Sequence, residues 1–386
     1  MPPEEASIPN ISVAKRRYFG LLLIALIAAT MLLVTEVFLR TIKSHEHRFE
    51  GTLLVPLVRR LETPPRLSWW ERRFLENYEK GVSELVFRYN KGLHRSHPTR
   101  GWTPKPNIKT GTGLRYTTNS HGWRSLYEFG NDPERYQVII VGDSFTFGDE
   151  VDDSDTWPHL LQQLDERLNV MNMGVTGYGI DQMYLTLSEA MEEFAPKLII
   201  AAFIGDDLNR PLLDFRDYKK PRFVLDKNGE LELTNTPIGS PAEVYQELQQ
   251  RHHRSTSELI NLSRSAGRSR EGVDEEPSSW FFLNEGLFAR MEKIARKQDA
   301  EFLMLYLPSG PELVDPGLRT PGGRFFQQYQ KTHGNLFLNP RQALLEAAFK
   351  KSEEHYEPNE TKLISQLVYR FIHRLPSWKQ FLNSRQ

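Results

Sequence analysis

Apolar and polar positions along the chain fall into three regimes. Near the N-terminus, Tyr18 to Val34 (YFGLLLIALIAATMLLV) is an unbroken run of apolar and small residues. With Thr35, Val37, Phe38 and Leu39 around the lone Glu36, it reaches the roughly 20 residues that cross a bilayer. From His45 to about Arg95 the chain turns charged and aromatic, with helical spacing in Trp70, Phe74 and Tyr78 and again in Val82, Leu85 and Tyr89. From about Tyr136 short strand-like apolar runs alternate with amphipathic helical patterns.

Val138-Ile139-Ile140-Val141 reads as a strand buried on both faces. Trp157, Leu160, Leu161, Leu164 and Leu168 follow as the apolar face of a helix opened by Thr156 and Pro158. Asn169 to Val175 is the next strand. Asp181 is placed to cap a helix whose apolar face runs Met183, Leu187, Met191, Phe194. Lys197 to Ile204 (KLIIAAFI) and Glu301 to Leu307 (EFLMLYL) read as further strands, with Leu336 to Leu338 a short last one. Leu287 to Arg296 and Glu360 to Arg374 read as helices. This alternation predicts an α/β domain, a mainly parallel sheet covered by helices on both faces, with ligands beyond the carboxyl ends of its strands.

The organisation expected is an N-terminal segment 1–17, an anchor 18–39, a stalk with lead-in helices 40–97, a main domain 98–374 and a tail 375–386. About 215–279 is a polar insert; within it Arg264 to Ser279 (RSAGRSREGVDEEPSS) has almost no apolar residue and is expected to be mobile. The anchor reads as an uncleaved single span, since Ala28-Ala29 is followed by more apolar residues where a signal peptide would show its cleavage site. Lys15-Arg16-Arg17 marks its N-terminal side as cytoplasmic, although Arg40, Lys43 and Arg48 follow on the other side. The lead-in aromatics are expected to pack on the main domain.

Composition narrows the chemistry. The 386 residues carry 49 basic and 50 acidic side chains, a formal net charge of −1, which argues against a nucleic-acid partner. With no cysteine in the chain, disulfides, thiol chemistry and Cys-containing zinc sites are excluded. His45-Glu46-His47 and His252-His253 lack the third ligand at helical spacing that a metal site needs, so no metal or other cofactor is implied.

Four segments fall at the ends of successive predicted elements: Gly142-Asp143-Ser144, Asn172-Met173-Gly174-Val175-Thr176-Gly177, Gly205-Asp206-Asp207 and Glu353-Glu354-His355. Together they resemble the blocks of the SGNH (GDSL) hydrolase family. Asn119-Ser120-His121-Gly122-Trp123-Arg124 is similar to an element that often precedes the first block in bacterial members. The resemblance covers about residues 98–210 and 285–372, and implies a three-layer α/β/α, flavodoxin-like fold. Singly, Gly177 is an ordinary turn residue and His355 a surface histidine; their joint order carries the reading.

In the family the first-block serine attacks an ester carbonyl, and Ser144 matches it. A serine hydroxyl needs a base to take its proton; His355 is the candidate. The carboxylate that orients the imidazole usually stands two or three residues before the histidine, where this chain has Ser352 and Glu353, so Glu353 is assigned that role. The family's oxyanion donors are the serine N–H, a second-block glycine, matched by Gly177, and a third-block asparagine, where this chain has Asp206. Three arrangements are compatible with that departure: a protonated Asp206 donates, Asn209 or another group substitutes, or catalysis is weakened or lost.

The resemblance implies a membrane-anchored O-acyl esterase or acyltransferase of the bacterial inner membrane. Its main domain would be periplasmic or extracellular and act on a carbohydrate acyl ester of an envelope or exported polysaccharide, beside a membrane-bound O-acyltransferase. The alternative is a non-catalytic scaffold or glycan-binding subunit with the same fold; a lipase-like enzyme is a third reading.

Overall fold

The computed structural model describes residues 13–44, 67–82, 92–110, 113–252, 277–315, 318, 320–334, 336–347 and 355–385. Two compact units divide the chain: residues 1–69 with 250–271, and residues 70–249 with 272–386. In the first, helix α1 (Val13–Ser44) contains the stretch Phe19–Val37, long and apolar enough to cross a membrane or to serve as a signal sequence. Its large side chains, Leu21 to Val34 among them, are exposed within the protein itself.

The second unit is built on five parallel strands: β1 (Tyr136–Gly142), β2 (Leu168–Gly174), β3 (Leu198–Phe203), β4 (Glu301–Tyr306) and β5 (Leu336–Leu338). Their order across the sheet is β5-β4-β3-β1-β2. Strands β1 to β3 are buried along their whole length, which explains why they read as continuous apolar runs rather than alternating ones. Helices α3 (Trp157–Leu164), α4 (Ile180–Ala190), α5 (Pro277–Lys297), α6 (Pro321–Thr332) and α7 (Pro358–Ile372) cover it.

Successive strand residues point to opposite faces, and the two faces have different cores. Tyr136, Val138 and Ile140 of β1 join Leu198, Ile200, Leu303 and Leu305 beneath Trp157 and Leu161 of α3 and Ile364, Val368 and Ile372 of α7. On the other face Phe203 meets Phe288 of α5 with ring centroids 4.9 Å apart, and Tyr306 meets Phe326 of α6 at 5.4 Å. Each fully buried Leu, Ile or Phe contributes about 1.5–3 kcal/mol relative to exposure. Helices on both faces of a parallel sheet make the expected three-layer α/β/α domain.

Local chemistry sets several boundaries away from the sequence reading. Helix α3 opens as expected, with Thr156 Oγ1 accepting from the His159 N–H at 3.3 Å, but it stops at Leu164 instead of reaching Leu168. Asp165 takes the chain out of the helix, accepting from the Arg167 N–H at 3.0 Å, and Leu168 already belongs to β2. Asp181 is not the cap of α4: Gly179 is, while Asp181 lies in the first turn, fully buried against the ammonium of Lys220. Helix α5 begins ten residues before the expected Leu287 and brings Trp280 and Phe281 against Phe325.

The polar insert contains small antiparallel pairs, Phe215–Arg216 with Tyr218–Lys219 and Arg222–Leu225 with Leu231–Thr234, and a helix Pro241–His252. Residues 253–276, which include most of the segment expected to be mobile, lie outside the described residues, as do His45, His47, Leu85 and Tyr89. The lead-in helix α2 (Trp69–Glu79) packs on these pairs: Phe74 meets Tyr218 at 5.5 Å and Phe215 at 5.8 Å, and Tyr78 stacks on Tyr245 at 4.5 Å.

Candidate active site

Ser144 stands two residues beyond Gly142, at the carboxyl end of β1, which lies between β3 and β2 in the sheet. The chain turns there into a single helical turn, Ser144–Phe147, opened by Asp143, whose Oδ1 accepts from the Phe145 N–H at 2.9 Å. Gly142 makes that turn possible. A β-carbon on it would lie 2.2 Å from Thr146 Oγ1 and 2.8 Å from the Ala202 carbonyl, so any side chain would push the turn off the sheet.

His355 arrives from the other end of the chain, just ahead of α7, and its Nε2 lies 2.8 Å from Ser144 Oγ. The ring packs on Phe145 with centroids 4.9 Å apart. Neighbouring Tyr356 anchors the segment, donating to the Pro308 carbonyl at 2.7 Å and crossing Phe145 edge to face at 4.8 Å.

Among the described residues, the carboxylate beside the imidazole is Glu150, six positions after the nucleophile. Its Oε2 is 2.9 Å from His355 Nδ1 and accepts from the His355 backbone N–H at 3.3 Å. A proton on Nδ1 donated to Glu150 leaves Nε2 as the acceptor facing the serine hydroxyl. Glu353, the residue assigned this role from the sequence, lies outside the described residues. Glu150 has φ 69, a left-handed conformation that costs a non-glycine residue roughly 1–2 kcal/mol. Only the fold around it holds it there.

The nucleophile turn and the end of the second block lie on a scaffold of buried charge. Asp207, fully buried, accepts from the Ile204 N–H at 3.0 Å and pairs with Arg210. Arg210 also donates to the Tyr178 carbonyl at 2.7 Å and approaches Asp143 Oδ2 at 3.4 Å. Burial drives the Asp207 carboxyl up from its ordinary range, against the opposing pull of the Arg210 charge. One guanidinium thus ties the nucleophile turn, the second block and the third block together.

Gly177 sits at φ 81, a left-handed conformation that favours glycine, and a β-carbon there would lie 2.7 Å from the movable end of Arg216. Arg216 donates to the Gly177 carbonyl at 3.3 Å and pairs with Asp217 at 3.5 Å. Asp206, the departure from the family's asparagine, is exposed to solvent on the turn Gly205–Leu208. Asn209 Oδ1 accepts from Trp280 Nε1 at 3.1 Å, which leaves its amide N–H groups as donors.

A scan of family models finds no match, and a search of curated proteins finds none. Solved structures do match. A member of the lipolytic protein G-D-S-L family from Veillonella parvula is 14 % identical, with 62 % of this chain and 99 % of that one covered at a TM-score of 0.37. The psychrotrophic esterase EstA from a Pseudoalteromonas species is 12 % identical, with 64 % and 99 % covered at 0.35. In this chain itself, the parallel sheet runs β2-β1-β3-β4-β5 and a serine at the end of β1 meets a histidine delivered ahead of the last sheet-covering helix. That is the arrangement implied by the resemblance to the SGNH (GDSL) hydrolases, and the chain has an SGNH-type fold.

Proposed function

We propose that the protein is a serine esterase or O-acyltransferase that works through an acyl-serine intermediate on Ser144. The observation that carries this reading is the linear relay of three groups: Ser144 Oγ to His355 Nε2 at 2.8 Å and His355 Nδ1 to Glu150 Oε2 at 2.9 Å. In the first step Oγ bonds to the acyl carbonyl carbon while its proton passes to Nε2, and Glu150 stabilises the imidazolium that forms. The negative charge on the former carbonyl oxygen falls to the Ser144 and Gly177 N–H groups. Collapse expels the alcohol, which takes the proton back from Nε2. Water or a sugar hydroxyl then bonds to the acyl carbon while its proton passes to Nε2, and the bond to Ser144 Oγ breaks as Oγ takes that proton back.

The substrate proposed is an O-acyl ester of an envelope or exported carbohydrate, with α1 as a single inner-membrane span, Lys15-Arg16-Arg17 on the cytoplasmic side and the α/β unit outside. A membrane-bound O-acyltransferase is the proposed partner. The test is hydrolysis of a small aryl acetate by the full chain in detergent beside Ser144→Ala: turnover in the first and background in the second support the reading. Equal background in both favours the second reading, a non-catalytic glycan-binding subunit, for which Asp206 in place of an amide donor speaks.

A further inference from the structure

The element Asn119-Ser120-His121-Gly122-Trp123-Arg124 has no part in the relay, yet it ends in a buried guanidinium that touches the relay's loop at several points. Its own geometry is built to place Arg124. Asn119 Oδ1 accepts from the His121 and Trp123 N–H groups at 3.1 and 3.0 Å, and the Asn119 N–H donates to the Trp123 carbonyl at 2.9 Å. The result is a tight reversal that sends Arg124 inward, where it is 3 % exposed.

Arg124 spends its donors on the segment around Glu150. Nη1 donates to the carbonyls of Phe147, at 3.1 Å, and Gly148. Nη2 donates to the Val151 carbonyl at 2.7 Å and the Arg115 carbonyl at 2.9 Å. Nε donates to Asp153 Oδ1 at 2.9 Å, and the guanidinium lies 4.2 Å over the Tyr116 ring. The carbonyls of Gly148 and Val151 bracket Glu150, and the Tyr116 hydroxyl accepts from the Glu150 N–H at 3.2 Å. A planar fork with fixed donor directions matches such a set of carbonyls in a way that a lysine ammonium does not. Left to itself, Glu150 would leave the left-handed conformation that aims its carboxylate at His355.

We propose that Arg124 is a positioning residue that holds Glu150 in this conformation and so fixes the His355 imidazole for acyl chemistry at Ser144. The inference rests on the reading of Ser144, His355 and Glu150 given above. Arg124 touches neither substrate nor the reacting atoms; it acts through one backbone segment.

The experiment is run on the full chain in detergent, with Arg124→Lys and Asp153→Asn, each made alone and with Glu150→Gln, and thermal unfolding identifying the variants that fold. Two signals are read: the low-field ring proton of His355 Nδ1 by NMR with ring-labelled histidine, and kcat and KM on an aryl acetate. Arg124→Lys is expected to abolish the ring-proton signal as Glu150→Gln does, and to lower kcat tenfold or more with KM within twofold. In the Glu150→Gln background its further effect on kcat is expected to be under twofold, because residues acting through one another are not additive. A folded Arg124→Lys that keeps the signal, or loses kcat equally in both backgrounds, overturns the proposal. Should Arg124→Lys not fold, Asp153→Asn, which removes the carboxylate that faces Arg124 Nε, decides by the same criteria. Absence of Ser144-dependent turnover in the unmodified chain defeats the function reading alone, since the ring-proton signal reports the Arg124 to Glu150 to His355 chain without turnover.

Discussion

Glu150 and His355, 205 positions apart, are joined twice by one carboxylate oxygen, which faces the ring Nδ1 at 2.9 Å and accepts from the backbone N–H at 3.3 Å. The double contact fixes the ring's rotation as well as its tautomer. Glu150→Gln keeps the shape but can present an N–H to Nδ1, favouring the tautomer that points a proton at Ser144. Its kcat on an aryl acetate is expected to fall by about 10⁴, the scale seen when a triad carboxylate is neutralised. An unchanged kcat would show that the imidazole needs no carboxylate here.

Ser144 faces an acceptor nitrogen at 2.8 Å, so a fluorophosphonate is expected to label it covalently, with a mass shift confined to the peptide that contains Gly142-Asp143-Ser144. His355→Ala should slow labelling by about 10²–10⁴, the usual contribution of a positioned general base. Label on a different residue would move the nucleophile elsewhere.

Asp206 is exposed on the turn after β3, in the place of the family's amide donor. Asp206→Asn exchanges a group that repels an oxyanion, when ionised, for one that donates to it. One such donor is worth on the order of 3 kcal/mol in the transition state. An increase in kcat of about tenfold or more is expected; a decrease would mean that the carboxylate itself takes part in this chain's chemistry.

Arg210 is buried between Asp207 and Asp143. Arg210→Met leaves two buried carboxylates without their cation, a change that costs about 3–5 kcal/mol when one partner of a buried pair is removed. Chemical unfolding of the full chain in detergent should show that loss, and Asp143→Asn, which removes a carboxylate from the same network, should recover part of it in the double variant.

The architecture was legible because its first three strands are buried along their whole length. Val138 to Val141 could be read from an apolar run, and the short, half-buried Leu336 to Leu338 from apolar residues between asparagines, whereas the order of the strands across the sheet was not legible. Ser144 and His355 were legible as types in an expected order, and the structure brings them together. Glu150 was not. The carboxylate expected from its nearness to the histidine is Glu353, which lies outside the described residues; among the described residues the acid that meets the ring stands near the serine. Glu150 follows Gly148 within a run of acids, Asp149, Glu150, Asp152, Asp153 and Asp155, and nothing in the local sequence singles it out from its neighbours. Asp181 misled for a related reason: an acid near a helix start reads as a cap, and nothing local reveals a lysine thirty-nine positions on that claims it.

The nucleophile and its acid travel on one short loop, while the imidazole is carried by the segment that leads into α7. That same helix seals one face of the sheet through Ile364, Val368 and Ile372. The packing of that face and the delivery of the base therefore depend on the same helix. Without α7 on the sheet, Ser144 has no imidazole at its hydroxyl.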